Sequence, residues 1–397
     1  TEKIVKIAEK AASLGVEMMV LDDGWFGTRN DDNQGLGDWT VNCEKLPGGL
    51  DPLIKQINAL GMKFGLWIEP EMVNPKSELY EKHKDWVIHL PNRDEYYFRN
   101  QMVLDLTNPK VQDYVYGVVD NLMTKYPGIA YFKWDCNSPI TNIYSPYLKD
   151  QQSHLYIEYV RGLYNVLERI KQKYPNLPMM LCSGGGGRCD YEALKYFTEF
   201  WPSDNTDAVE RIFIQWGYSH FFPAKSMAAH VTSWGKQPVK FRTDVASMCK
   251  LGFDIRIHEM SQTDQQYCKE AVANFKRLFK IPTQGGKLGL AEKSASRKML
   301  MQDYGLNDNF FKEIDASVKR NCRTQNDIQS YLFMYQGFSN DLMMLMGNLM
   351  QWKFRMPSIF KKALYGMTQK TVHDVCTKTV WKADDVHKTA MAVRQYK

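Results

Sequence analysis

Two periodicities alternate along the first 280 or so residues: stretches with apolar residues every three or four positions, and short continuous apolar runs. Ile4, Ile7, Ala8 and Ala11 share a helical face, and Gly15 stands where that helix would stop. VEMMVL then reads as a buried strand. In DPLIKQINALG, Asp51 suits the N-cap and Pro52 the first turn; Leu53, Ile54, Ile57 and Leu60 line one face, and Gly61 ends the helix. KFGLWI is the next strand. Asn108 and Pro109 open a helix with Val111, Val115, Val118 and Leu122 inward, and IAYFKW follows as a strand. Residues 151–173 read as a helix and PMMLC as a strand. Short strands near 198–201, 223–229 and 252–256 alternate with helices near 207–216, 243–251 and 260–277.

Repeated strand–helix units of this length predict a parallel sheet, and more than six favour a closed (β/α)8 TIM-type barrel over an open doubly wound sheet. Seven strands are counted and the chain opens on a helix. The expected barrel, residues 1–285, therefore lacks its first strand, and the chain is expected to be a fragment of a longer protein. Beyond about residue 290 the alternation stops in Met-rich sequence such as DLMMLMGNLM, so residues 286–397 are expected to be a mainly helical appendage without a recognisable motif.

With 397 residues and 44% hydrophobic content the chain can bury a large core. No apolar run reaches the roughly 18 residues that span a bilayer, and no basic-then-apolar leader is visible. The eight cysteines are scattered, with no C-x-x-C pair, which favours reduced thiols and a cytoplasmic location. The net charge of +6 lies in the tail: residues 291–397 hold 17 Lys+Arg against 10 Asp+Glu, leaving 34 against 35 for residues 1–290. A neutral main domain and a diffusely basic tail argue against a nucleic-acid partner, and the missing apolar span argues against a membrane partner.

Catalytic groups of such a barrel come from the C-terminal ends of its strands. Here those ends are polar: Asp22 and Asp23 in VLDDGW, Trp67 and Glu69 in GLWIEPEM, Lys133 and Asp135 in YFKWD, Cys182, Ser183 and Arg188 in LCSGGGGRCD, and Trp201 and Asp204 in FWPSDNTD. A lone strand-end aspartate is as often a helix cap, but carboxylates converging on one mouth repel each other, a cost tolerated where a ligand or mechanism uses them. Trp25, Trp39, Trp67, Trp134 and Trp201 lie beside these ends, and flat indoles next to carboxylates suit a sugar. Alternation along the strand turns Trp134 outward and sets Lys133 and Asp135 together on the inner face. Lys133 would keep Asp135 ionised, Asp135 could attack an anomeric carbon, and Asp204 could protonate the leaving oxygen; Asp207 suits a helix cap.

LDDGWFG, GLWIEPEM, RNQMVLDLTNP, KWD, CSGGGGR and SDNTD, in this order, resemble the family-36 glycoside hydrolases, the bacterial-type α-galactosidases, over about residues 1–280. The resemblance implies a retaining exo-α-galactosidase that needs no cofactor or metal and acts on terminal α-linked galactose in raffinose- or melibiose-type oligosaccharides. It implies Asp135 as nucleophile and Asp204 as acid/base, with Asp22, Asp23, Trp67, Arg99, Lys133, Cys182, Gly185 and Trp201 lining the galactose subsite. A homo-oligomer is a further expectation from the family.

Other functions fit the same residues. A galactosyl transferase of the raffinose-synthase type would share the intermediate and change the acceptor. A truncated barrel could bind galactosides without turnover. The GGGG run could cradle phosphate, but no G-x-x-x-x-G-K-[ST] motif accompanies it, and close backbone approach to a sugar fits as well. An oxygen-ligand metal site at Asp22, Asp23, Glu69 and Asp135 is opposed by the lysine among them.

Overall fold

The computed structural model describes residues 1–279. In chain order the helices and strands are α1 (Glu2–Ser13), β1 (Met18–Leu21), α2 (Leu50–Ala59), β2 (Lys63–Ile68), β3 (Met72–Val73), α3 (Glu78–Lys82), β4 (Met102–Val103), α4 (Pro109–Lys125), β5 (Ile129–Trp134), α5 (Leu155–Lys173), β6 (Met179–Leu181), β7 (Glu199–Phe200), α6 (Ala208–Ser219), β8 (Ala228–Thr232), α7 (Val239–Ala246), β9 (Lys250–Asp254) and α8 (Gln262–Phe279). The expected appendage, residues 286–397, and its boundary lie outside the described residues. None of the described helices is long and apolar enough to cross a membrane.

The seven apolar runs are seven parallel strands. Five form a sheet in the order β1-β2-β5-β6-β7, and β8 pairs with β9. A parallel bridge from Phe200 to Met227 links the two groups. The strand order follows the chain order, with no reversal such as an open doubly wound sheet contains. The helices cover one face: α4 buries Val111, Val115, Val118, Val119 and Leu122, and α5 buries Leu155, Tyr159, Leu163, Val166, Leu167 and Ile170. Each such side chain contributes about 1.5–3 kcal/mol on leaving water. The opposite face packs on itself, for Tyr131, Met180, Cys182, Trp201 and Ala228 form one buried cluster joined by Met18 and Val20 of β1. Gly65 makes room for it, since a Cβ there would stand 3.0 Å from the Tyr131 ring and 3.1 Å from Val20. Below that cluster, Glu199 takes a hydrogen bond from the Tyr131 hydroxyl and an ion pair from Lys250, tying β5, β7 and β9 together.

Several boundaries differ from those the pattern predicts. Asp51 is not the N-cap of α2: Gly49, with φ of +81°, holds that position, and Asp51 and Pro52 occupy the first turn. The strand expected over 223–229 begins at Ala228, because Pro223 starts a 3-10 turn over Ala224–Ser226 closed by the Ser226 hydroxyl on the Pro223 carbonyl. The helix expected over 243–251 runs from Val239, directly after Pro238, and ends early enough for Lys250 to enter β9. The two-residue strands β3 and β4, paired antiparallel, are too short to leave a period in the sequence.

Gly162 offers a test of the packing. It lies within α5, where alanine normally gains about 1 kcal/mol, but a Cβ there would stand 2.0 Å from the carbonyl oxygen of Leu106. Gly162→Ala is expected to cost about 2–4 kcal/mol in urea unfolding. Gly217→Ala in α6, where nothing lies within 4 Å, should instead be neutral or stabilising.

Candidate active site

Asp135 follows directly on β5, and its N–H continues the ladder onto Ile68 O at 2.8 Å. The residue is 6% exposed, and its carboxylate is surrounded by donors. Oδ1 accepts from the N–H of Cys136 at 2.8 Å and of Gly184 at 3.4 Å, and Oδ2 accepts from the Trp67 indole at 3.2 Å. Burial alone would raise this carboxyl, but the side chains of Asn137 and Cys182, the charge of Lys133 and the Cys136 N–H together hold it below the usual carboxylate range. It is therefore an ionised, largely dry carboxylate.

Lys133 stands one inward position below. Its ammonium donates to Asp22 Oδ2 at 2.8 Å, so the direct partner is Asp22 rather than Asp135, which receives the lysine's charge through space. Although burial opposes it, the carboxylates of Asp22 and Asp135 keep the lysine charged and well above its ordinary range. The same ammonium lies 5.8 Å from the centre of the Trp201 ring, whose N–H donates to Asp204 Oδ1 at 2.9 Å. Cys182 is buried beside Asp135, which helps to push its thiol well up. Asp22, Lys133, Asp135, Trp67, Cys182, Trp201 and Asp204 thus form one connected set.

The remaining predicted residues divide. Gly185, with φ of +108°, leaves no room for a Cβ, which would stand 3.0 Å from Ser203 Cα. The close approach allowed by the glycine run is therefore to the backbone of the Asp204 turn, while Gly184 aims its N–H at Asp135. Both Asp23 oxygens are occupied by the fork of Arg29, at 2.9 and 3.0 Å. Arg99, in a left-handed conformation with φ of +52°, is 3.7 Å from Asp32, which Arg29 also contacts. Asp23 and Arg99 are thereby linked through Arg29 and Asp32, and the Asp23 N–H donates at 2.9 Å to Asp22, the partner of Lys133. Trp134 faces outward as expected, its N–H on Glu71, which also accepts from Tyr159 and Arg188. Asp207 caps α6, accepting from the N–H of Val209 and Glu210.

Two contributors, Arg211 and Asp254, are not among the residues that the sequence pattern singles out, and Glu69 stands there only as a polar strand end. Arg211 lies with its guanidinium carbon 4.5 Å from the Trp201 ring centre and donates to the carbonyls of Ser203, Asn205 and Ala228, fastening the Asp204 turn. Asp254 ends β9, and its carboxyl is pushed up by desolvation and by Asp22 against the pull of Lys133, so the ends of β1, β5 and β9 converge. The rule that selects KWD would also have selected Asp254 in LGFD. Glu69 is 1% exposed and lies near Asp135. Among the described residues, no three His, Cys, Asp or Glu side chains gather to hold a metal ion.

The sequence pattern of the melibiase family matches residues 1–285, and that of a domain of unknown function, DUF8491, matches residues 255–397. Alpha-galactosidase AgaA of Geobacillus stearothermophilus is 47% identical over 287 residues, 70% of this chain and 39% of the relative. Alpha-galactosidase 1 of Pediococcus pentosaceus is 40% identical over 283 residues, 70% of this chain and 38% of the relative. The crystal structure of a substituted AgaA in complex with raffinose superposes with a TM-score of 0.68 at 45% identity, covering 70% of this chain and 39% of that one. A further substituted AgaA holds stachyose. This chain spans about two fifths of the length of these curated relatives.

His230 supplies a prediction for this region. Its ring lies 4.6 Å from that of Trp201 and occupies the space over Gly252, where a Cβ would stand 2.3 Å away. Burial, with Lys133 and Arg211, depresses the imidazole to about 3 from 6.5. The unfolded chain therefore takes a proton that the folded one refuses, and stability present above pH 6.5 is lost as pH falls. Between pH 7 and pH 5, His230→Asn should lose about 2 kcal/mol less stability than the parent in urea unfolding.

Proposed function

Because this chain belongs to the melibiase family, we propose that it carries the catalytic half of a retaining exo-α-galactosidase that releases terminal α-linked galactose from raffinose- and stachyose-type oligosaccharides. Its seven parallel strands are the strands of a (β/α)8 barrel. The interior cluster that draws on β1, β5, β6 and β8, and the approach of Asp254 to Asp22, support a sheet that curls towards closure.

The reading rests on one observation above the others: a nearly dry carboxylate, Asp135, held ionised by N–H donors at the end of β5. In this mechanism an Asp135 oxygen attacks the anomeric carbon as the bond to the leaving oxygen breaks, and Asp204 gives that oxygen its proton. Asp204 then takes a proton from water, whose oxygen attacks the same carbon and frees Asp135. The Trp201 indole orients Asp204, and the Arg211 clasp on the surrounding turn holds both. The carboxyl groups are expected about 5–5.5 Å apart, as a covalent intermediate requires. In this reading Lys133 and Asp22, which pair with each other, donate to and accept from galactose hydroxyls, with Trp67 beside Asp135. Raffinose and stachyose occupy the related AgaA structures, which supports this substrate class.

Mutant kinetics test the assignment. Asp135→Ala should lower hydrolysis of p-nitrophenyl α-galactoside by roughly 10⁴-fold or more, and added azide should restore turnover with formation of β-galactosyl azide. Turnover unchanged by the substitution would reject Asp135 as nucleophile. Asp204→Ala should slow raffinose hydrolysis by about 10²–10⁴-fold, with a much smaller effect on glycosylation by an activated galactoside that leaves without a proton. An equal loss on both substrates would reject Asp204 as the acid. Product analysis at high sugar concentration separates hydrolysis from transfer to a second sugar.

A further inference from the structure

Glu69 is a buried acid that the double displacement leaves without a task. It stands one residue beyond β2, two positions after Trp67, so strand alternation gives both the same inward side. Its Oε1 accepts from the N–H of Asn137 at 2.5 Å and from Gln101 Nε2 at 3.4 Å. Asn137 lies two residues past Asp135, and the N–H of Asp135 itself is held by Ile68 O. The peptide that carries the nucleophile is thus fastened to the end of β2 at two points, one at Asp135 and one immediately beyond it. The second fastening is a side chain, and that side chain is an acid.

The charged and titratable groups facing Glu69 are Asp135 and Cys136 from the end of β5, Arg29 from the loop after β1, and Arg99 from the loop before β4. Neither arginine forms an ion pair with it. Arg29 is taken by Asp23 and Asp32, and Arg99 by Asp32. A carboxylate here would be dry, unpaired and beside another carboxylate, a combination that favours the neutral acid.

We propose that Glu69 is a positioning residue for the nucleophile and works in its protonated form: the neutral carboxyl fastens the Cys136–Asn137 peptide without placing a second negative charge behind Asp135. The proposal rests on the reading of Asp135 as nucleophile. Burial and then Asp135 push the Glu69 carboxyl up to about 8, against the Asn137 N–H and the two arginines, so the neutral acid predominates near pH 7. Above that range it ionises, and repulsion between the two carboxylates disturbs the fastened peptide.

The test uses α-galactosyl fluoride, whose fluoride departs without a proton, so Asp204 does not set the alkaline limb of kcat/KM. The parent limb should fall above about pH 8, and Glu69→Gln should move it upward by about one pH unit or more while keeping roughly a tenth or more of the parent rate at neutral pH. Glu69→Ala, with no acceptor for the Asn137 N–H, should lose roughly 10²-fold in kcat with KM little changed. Infrared difference spectra supply a readout independent of turnover: a carboxylic-acid C=O band that persists at neutral pH, titrates near pH 8 and is missing in Glu69→Gln. A limb shared by parent and Glu69→Gln, or no such band in the parent, overturns this proposal alone. Turnover that survives Asp135→Ala overturns the nucleophile reading and this proposal with it.

Discussion

A carboxylate taken out of water must receive from the protein the donors that water would have supplied, and the region around Asp135 is organised by that requirement. With 6% of its surface exposed, Asp135 takes one indole and two backbone N–H groups. Each donor comes from a different place in the chain. Trp67 belongs to β2, Cys136 follows Asp135 itself, and Gly184 lies in the loop after β6. The ion stays charged only while these three segments keep their places, so the solvation of one side chain couples strands that local sequence could not align.

The loops that hold these donors are themselves closely packed. Gly185 allows the loop after β6 to lie against Ser203, which brings the glycine run and the Asp204 turn within backbone contact. Arg211 then ties that turn to β8 through the carbonyls of Ser203, Asn205 and Ala228, and its guanidinium, whose pKa burial draws down to about 10, spreads its charge over those acceptors and the face of Trp201. Trp201 has two roles, as a ring beside two cations and as a donor to Asp204. The acid/base candidate is in this way oriented by an indole whose own position depends on an arginine ten residues further along the chain.

Much of this arrangement was legible in advance. The seven parallel strands, the outward Trp134, the Asn108 cap and the Asp207 cap all follow from periodicity or from short-range capping chemistry, which act over a few residues and leave a local trace. The strand-end rule collected most of the site for the same reason. It passes over Asp254 because the apolar pattern puts β9 two residues late, and over Arg211 because an arginine on a helix gives no sign that it will be turned inward. Glu69 was seen as a polar strand end, but nothing local distinguishes a carboxylate facing solvent from one shut behind a nucleophile.

The amino-acid sequence by itself determined the order of elements, the direction in which each side chain leaves its strand, and the set of groups delivered to one end of a parallel sheet, since backbone periodicity alone dictates these. Only the tertiary structure decided who pairs with whom. Lys133 binds Asp22 rather than Asp135, Arg29 occupies Asp23, and Asn137 rests on Glu69, because these partners lie between 6 and 111 residues apart along the chain. Ionisation follows from the same cause. Asp135 remains charged and Glu69 is driven towards neutrality because burial, donors and neighbouring charges are set by three-dimensional packing, which identical residue types one turn away would not share.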